Sequence, residues 1–264
     1  PLKYIPHAVN EDVFNPVLPE HRVEMREKMH GSDSNKFIAF WNNRNARRKQ
    51  SGTLLWWWKE WLDKRDLHDK AQLIMHTDPK DPHGQDLTQI AEHLGLGSQR
   101  QVLFSTQKIP LEQMGSFYNI SDVTINISHA EGFGLATLES LSCGTPIIAN
   151  MTGGLQEQVI GPEGENGVAI FPSSKSVIGS QQVPYIYEDR ISKQSFHAAL
   201  DKLYFIDEDS RRELGNKGLR HVRENYSFDK FCKQWVDTLL DLHEKHGSWD
   251  NRKGYNGIVF REVA

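Results

Sequence analysis

Residues 128–139 read SHAEGFGLATLE, and the fold follows from how this stretch is parsed. The apolar run VTINI at 123–127 leads into it, Gly132 and Gly134 break the run, and a helical pattern begins at Leu135 and ends near Cys143 and Gly144. The order is strand, tight glycine turn, helix, with Glu131 on one side of the turn and Glu139 on the other. Such a turn aims main-chain N–H groups and the positive end of a helix at whatever lies above the sheet. Anionic phosphate is the natural guest there. Glu131 and Glu139 repel phosphate but accept hydrogen bonds from hydroxyls, so the expected guest carries both phosphate and sugar.

Working outward, short β-rich runs alternate with helical patterns. Strands are expected at 36–41 (KFIAFW), 71–76 (AQLIMH), 101–105 (QVLFS), 123–127, 146–150 (PIIAN) and 167–171 (GVAIF). Helices are expected at 53–65, 87–94, 111–119 with Pro110 at its start, and 134–142. Gly153 and Gly154 open a short helix, and the chain from about 192 to 245 reads as helical. Alternation with short connections predicts a Rossmann-like α/β fold, a doubly wound parallel sheet with a C-terminal helical segment. Ligands on such sheets lie beyond the carboxyl ends of the strands. The loops after Trp41, Ser105, Ile127 and Asn150 then converge on one cleft.

The chain of 264 residues is 38% hydrophobic and 25% charged, with a formal net charge of -4. That balance argues against non-specific nucleic-acid binding as its main task. No run is apolar enough for a membrane span, and the first residues, PLKYIPH, lack the apolar core of a signal peptide. Cys143 and Cys232 are far apart and lack metal-ligand spacing. Two buried thiols in a reducing compartment is the preferred reading over one disulfide, and a cytoplasmic location is expected.

The first loop, NNRNARRK at 42–49, offers Arg44 and Lys49 to a phosphate over the glycine turn: a planar fork and a mobile point charge, a pairing suited to a diphosphate. A solvated basic loop is the plainer alternative. Glu139 falls about five residues, roughly 7.5 Å, into its helix, where it can bridge the hydroxyls of a ribose. A surface glutamate is the plainer alternative, and a glycosidase carboxylate pair, with about 5–10 Å between carboxyls, the competing one. His129 can touch a donor sugar or be a satisfied loop histidine. His76, Asp78, Asp81, His83 and Asp86 are dense in metal-ligand types, but Pro79, Pro82 and Gly84 mark an ordinary polar loop. Of Trp56, Trp57, Trp58 and Trp61, Trp58 shares a face with Leu54 and Leu62. Three consecutive tryptophans cannot all face inward, so at least one is expected at the surface or in an oligomer contact through this helix. Cys143 reads as packing.

The joint pattern resembles retaining glycosyltransferases of the GT-B fold, family-four-like, and in particular their C-terminal nucleotide-sugar-binding domain. It is carried by Glu131-Gly-Phe-Gly134, Glu139 eight residues on, Gly144-Thr-Pro146 before a strand, Gly153-Gly154 with Glu157, and Arg44-x4-Lys49, over roughly residues 4–171. The resemblance implies that Arg44 and Lys49 hold a diphosphate and act with Glu131 as the catalytic set. It implies that Glu139 holds the ribose and that Glu131, Gly132 and the N–H groups of Phe133, Gly134 and Leu135 hold the transferred hexose. The Lys108-Ile109 loop would then meet the base. The donor would be a UDP- or GDP-sugar, with no cofactor and no metal. The anomeric configuration would be retained, the leaving phosphate taking the acceptor's proton.

The same resemblance organises the chain as one donor-binding domain over 1–264. Residues 1–14 are the former inter-domain linker, although Ala8 and Asn10 depart from the usual His-Gly-Val-Asp pattern. Residues 36–171 form the parallel core, 172–191 an inserted loop, 192–246 the C-terminal helices and 247–264 a tail. The N-terminal acceptor domain is then expected from elsewhere, in cis or in trans, and the acceptor is a glycan, lipid or protein. On this reading the isolated chain is inactive. Three readings stay open: half of a split transferase, a non-catalytic nucleotide-sugar-binding module, and a hydrolase using Glu131 and Glu139.

Overall fold

The computed structural model describes residues 2–31, 34–97, 100–248, 250, 251 and 253. Its elements are α1 (Pro19–His30), β1 (Phe37–Asn42), α2 (Ser51–Arg65), β2 (Ala71–His76), α3 (Leu87–His93), β3 (Val102–Ser105), α4 (Leu111–Ile120), β4 (Val123–Asn126), α5 (Leu135–Ser142) and β5 (Ile147–Asn150). There follow α6 (Leu155–Val159), β6 (Ile160–Gly161), β7 (Gly164–Glu165), β8 (Val168–Ile170), β9 (Ser174–Ile178), β10 (Ile186–Arg190), α7 (Lys193–Phe205), α8 (Glu208–Asn225) and α9 (Phe228–His246). Apart from its first residues, the tail expected at 247–264 lies outside the described residues.

Six strands form one sheet in the order β3-β2-β1-β4-β5-β8, with every pair parallel. This is the expected doubly wound α/β fold. The strands are buried on both faces, which is why they read as continuous apolar runs. Alternate side chains enter opposite layers. Phe37, Ala39, Trp41, Leu73 and Met75 pack with α2, α3 and α7, whereas Ile38, Phe40 and Ile74 pack with α4, α5, α6 and the end of α8. The strand order turns back on itself between β1 and β4, and the connections leaving those two strands diverge there, opening a crevice beyond their carboxyl ends.

Helix α2 buries Leu54, Leu55, Trp58, Trp61 and Leu62. Each such burial is worth about 1.5–3 kcal/mol. The indole N–H of Trp58 donates to the Gln101 carbonyl at 3.2 Å and that of Trp61 to Asp201 at 2.9 Å. Trp57 packs on Phe196. Of the four tryptophans of α2, Trp56 alone is exposed, beneath the Lys193 ammonium. The tryptophans therefore serve this chain's own core, and an oligomer contact through the helix rests on Trp56 alone. The C-terminal helices begin at side-chain caps, Ser192, Asp207 and Ser227, each accepting from a main-chain N–H three residues on. Such caps contribute about 1 kcal/mol apiece.

Four features depart from expectation. Helix α1, absent from the sequence reading, is anchored by polar contacts: Arg22 Nε donates to the Asn119 carbonyl at 2.9 Å, and Arg26 Nη1 to the Ile120 carbonyl and Asp122 at 3.1 Å. The 172–191 insertion is an antiparallel hairpin of β9 and β10, not a loop. Cys232 is an exposed thiol and only Cys143 is buried; neither is in a disulfide. Residues 9–14, read as linker, join the core: Val9 N donates to the Tyr226 carbonyl at 3.2 Å, and Phe14 packs edge-on against Tyr118.

Candidate functional site

The crevice between β1 and β4 receives two loops, residues 43–50 and 127–134. They are stitched together: His129 N donates to the Arg48 carbonyl at 2.8 Å and Arg48 Nη1 to the Ala130 carbonyl at 2.6 Å. At the glycine turn, Gly134 has φ 91° and forms the N-cap of α5 without a side chain to satisfy the helix's first donors. Among the described residues, the N–H groups of Phe133, Gly134 and Leu135 donate to nothing. A second glycine pair lies directly beneath. A Cβ on Gly153, itself at φ 52°, would meet the Glu131 carbonyl at 1.7 Å, so the turn can rest there only on glycine. Gly154 N donates to the Gly132 carbonyl at 3.0 Å and Gln158 Nε2 to that of Phe133 at 2.7 Å, fixing the turn with its N–H groups outward. A cavity of about 380 Å³, lined by Gly132, Phe133, Gly153, Gly154 and the segment from Tyr4 to His7, lies beside it.

Lys49 and Glu131 form a buried ion pair across the crevice. Arg48 stands 3.5 Å from the other Glu131 oxygen, and Asn126 Nδ2 and Ser128 Oγ each donate to the carboxylate at 3.2 Å. Burial raises the Glu131 carboxyl, but Lys49, Asn126 and Arg48 together outweigh it and hold the group below the usual glutamate value. Glu139, one turn into α5, is pushed the other way: burial raises it, and the Tyr118 hydroxyl, donating to Oε2, draws it partly back. The two carboxyls of the motif thus have opposite surroundings.

The remaining expected residues are placed as follows. Arg44 is exposed and turned toward the loop after β2, residues 77–86, where Nε donates to Asp81 at 2.6 Å and Nη2 lies 2.8 Å from His83 Nδ1. The Arg44 guanidinium holds the Asp81 carboxyl well below the usual range. Arg44 is thus paired with Asp81 and Lys49 with Glu131. Asp81 is spent on Arg44, and among the described residues no group of three or more His, Cys, Asp or Glu side chains is gathered to hold a metal ion. His129 Nδ1 lies 3.2 Å from Glu188 of β10, and its carbonyl accepts from Asp189 N at 2.8 Å, so this histidine ties the hairpin to the site loop. Lys108 is exposed beyond β3, whereas Ile109 packs into the core. Leu135 is exposed, and Phe133 sits between His7 and Tyr226.

Sequence reasoning missed Arg48, Asn126, Ser128, Tyr118 and Asn42. Arg48 lay in the basic loop already singled out. Asn126 and Ser128 lie beside Glu131 in sequence but are common buried polar residues at a strand end, and Tyr118 and Asn42 reach partners distant in sequence.

The model of the family described as glycosyl transferases group 1 matches residues 27–203. The chain belongs to that family. Among relatives of this glycosyltransferase domain, the D-inositol 3-phosphate glycosyltransferase of Corynebacterium urealyticum is 31% identical over 156 residues, covering 59% of this chain and 31% of that protein. Sucrose-phosphate synthase from Thermosynechococcus elongatus superposes with a TM-score of 0.70 at 25% identity, over 91% of this chain and 52% of that one. Anabaena HepE in complex with UDP-glucose superposes with a TM-score of 0.66 at 16% identity, over 89% and 56%. The glycosyltransferase domain thus spans about half the length of these solved proteins, and less of the sequence relative. The GT-B assignment read from the motif holds.

Proposed function

We propose that this chain is the donor-binding half of a retaining, nucleotide-sugar-dependent hexosyltransferase that works without a metal. The observation that carries the reading is the glycine turn: three main-chain N–H groups without acceptors at the start of α5, beside a buried ammonium, where β1 and β4 diverge. N–H groups at a helix start favour an anion, and Lys49, Arg48 and Arg44 supply the positive charge a departing diphosphate needs. Glu139 accepts from the ribose, and Glu131 from the hexose once Lys49 turns to phosphate. The Lys108 loop is offered to the base, and HepE, which holds UDP-glucose, lends weight to a UDP-sugar. The transferred hexose leaves and is attacked on the same face. The leaving phosphate takes the acceptor's proton, so the chain's task is positioning and charge stabilisation.

The acceptor, a glycan, lipid or protein, is placed by a second domain supplied in cis or in trans. Helix α9 leaves Trp235, Val236, Leu239 and Leu240 exposed, a stripe suited to that domain. The free thiols Cys143 and Cys232 favour a reducing compartment and a cytoplasmic location. No helix among the described residues is long and apolar enough to cross a membrane.

A thermal-shift screen of UDP, GDP, ADP and their hexose derivatives tests the reading. A ligand at a hundred times its Kd adds about 2.7 kcal/mol. For a chain of this size that raises Tm by roughly 5–10 °C. No shift with any of them sinks the proposal. Lys49→Ala weakens the binding by about 1.5–3 kcal/mol, as a charge-assisted contact is lost. Arg44→Ala lies toward the bottom of that range, because the arginine exchanges Asp81 for phosphate. Glu139→Gln weakens nucleotides with an intact ribose more than their 2′,3′-dideoxy analogues; equal losses reject the ribose assignment.

A further inference from the structure

Asn42, at the end of β1, Tyr118 of α4 and Glu139 of α5 form one hydrogen-bonded chain across the floor of the crevice. Asn42 Nδ2 donates to the Tyr118 hydroxyl at 2.9 Å, and that hydroxyl donates to Glu139 Oε2. The direction is fixed by chemistry. An amide nitrogen is only a donor, so the phenol oxygen accepts from Asn42, and its single proton is committed to Glu139. The ring cannot swing away: Tyr118 is 1% exposed and wedged edge-on between Phe14 and Phe40, at centroid distances of 5.9 and 5.1 Å. Its helix is pinned beside it, Thr145 Oγ1 donating to the Tyr118 carbonyl at 2.8 Å. One oxygen of Glu139 is therefore permanently occupied from below. Among the described residues Oε1 accepts nothing.

We propose that Tyr118 is a positioning residue for the nucleotide ribose: by holding Oε2 from below it fixes the Glu139 carboxyl with Oε1 free for the ribose diol. This rests on the reading of Glu139 as the ribose ligand. Burial raises the Glu139 carboxyl, and the Tyr118 hydroxyl is what opposes that rise. The other titratable groups coupled to it stay neutral, since burial raises both the Tyr118 phenol and the Cys143 thiol well above their usual values. Without the phenol's proton, Glu139 protonates at higher pH and its orientation is no longer fixed.

The test compares UDP with 2′,3′-dideoxy-UDP on the full chain, as wild type, Tyr118→Phe and Glu139→Gln, between pH 5 and 8. Phenylalanine keeps the ring that fills the core. Wild type binds UDP the tighter of the two. Tyr118→Phe retains its dideoxy-UDP affinity but loses UDP affinity by about five- to tenfold, the scale of one ordinary net hydrogen bond. Its UDP affinity falls at a higher pH than that of wild type. Should Tyr118→Phe fail to fold, Asn42→Ala, which frees the phenol's direction, reduces the same UDP preference. A wild type indifferent to the ribose hydroxyls overturns the ribose reading and this proposal together. A wild type that discriminates, a Glu139→Gln that does not, and a Tyr118→Phe indistinguishable from wild type in ratio and pH midpoint overturn this proposal alone.

Discussion

Glu131→Gln lowers the unfolding free energy by about 3 kcal/mol at neutral pH, a loss at the lower end of that for breaking a buried ion pair. The reason is Lys49, whose side chain is 9% exposed and whose ion-pair partner is Glu131. Remove the carboxylate and a buried cation is left with an amide. For a chain of this size the loss lowers Tm by roughly 6–12 °C. The deficit depends on pH. A lysine whose folded pKa lies below its unfolded value of about 10.4 destabilises the fold at low pH, and that effect fades as pH rises through the folded value. The variant therefore recovers toward wild type as pH is raised from 7 toward 10. At the acid end wild type approaches the variant. Glu131 has a lowered folded pKa, so its contribution is present above the ordinary value of 4.5 and is lost as pH falls through the folded one. Lys49→Met costs less, because Arg48, Asn126 and Ser128 still face the carboxylate. Thermal unfolding of both variants across pH checks this. Equal stability of Glu131→Gln and wild type at pH 7 would mean that the pair holds nothing together.

On the proposed reading, residues 1–264 tested alone with donor and acceptor transfer sugar about a thousandfold more slowly, or worse, than the same residues supplied with an acceptor domain. The chain spans about half the length of its solved relatives. A donor sugar left wet and an acceptor left unplaced forfeit the positioning that makes up much of such an enzyme's rate. Coupled assays with and without the second domain measure the ratio, and product stereochemistry reports retention. Robust transfer by residues 1–264 alone would show that the acceptor site lies within this domain, with the β9–β10 hairpin the first place to look. Free hexose released without any acceptor would point instead to hydrolysis.

The six parallel strands were legible because strands buried on both faces are mostly apolar: AQLIMH at 71–76, with only Gln72 and His76 polar, became β2 without a change of boundary. Helix α1 was not legible, because its sequence PEHRVEMREKMH has no apolar stripe; Arg22 and Arg26 anchor it by reaching main-chain carbonyls and Asp122 across a sequence gap of nearly a hundred residues. The hairpin at 174–190 was read as loop because Val177, Tyr185, Ile186 and Tyr187 are exposed rather than sorted to a buried face. It is held from its base by Asn150 and His129. In the site, the motif located the turn and both glutamates. It could not reveal that Lys49 and Glu131, 82 residues apart, neutralise each other. Nor could it reveal that Arg44 faces Asp81, because side-chain pairing across a crevice leaves no local pattern.

Calorimetric titration of the chain in EDTA with UDP, GDP and ADP tests the account most directly, repeated with Lys49→Ala. The account predicts one-to-one binding of at least one of the three without added metal, weakened roughly ten- to a hundredfold in the variant. No heat and no competition from any of them, or binding that Lys49→Ala leaves unchanged, would contradict it.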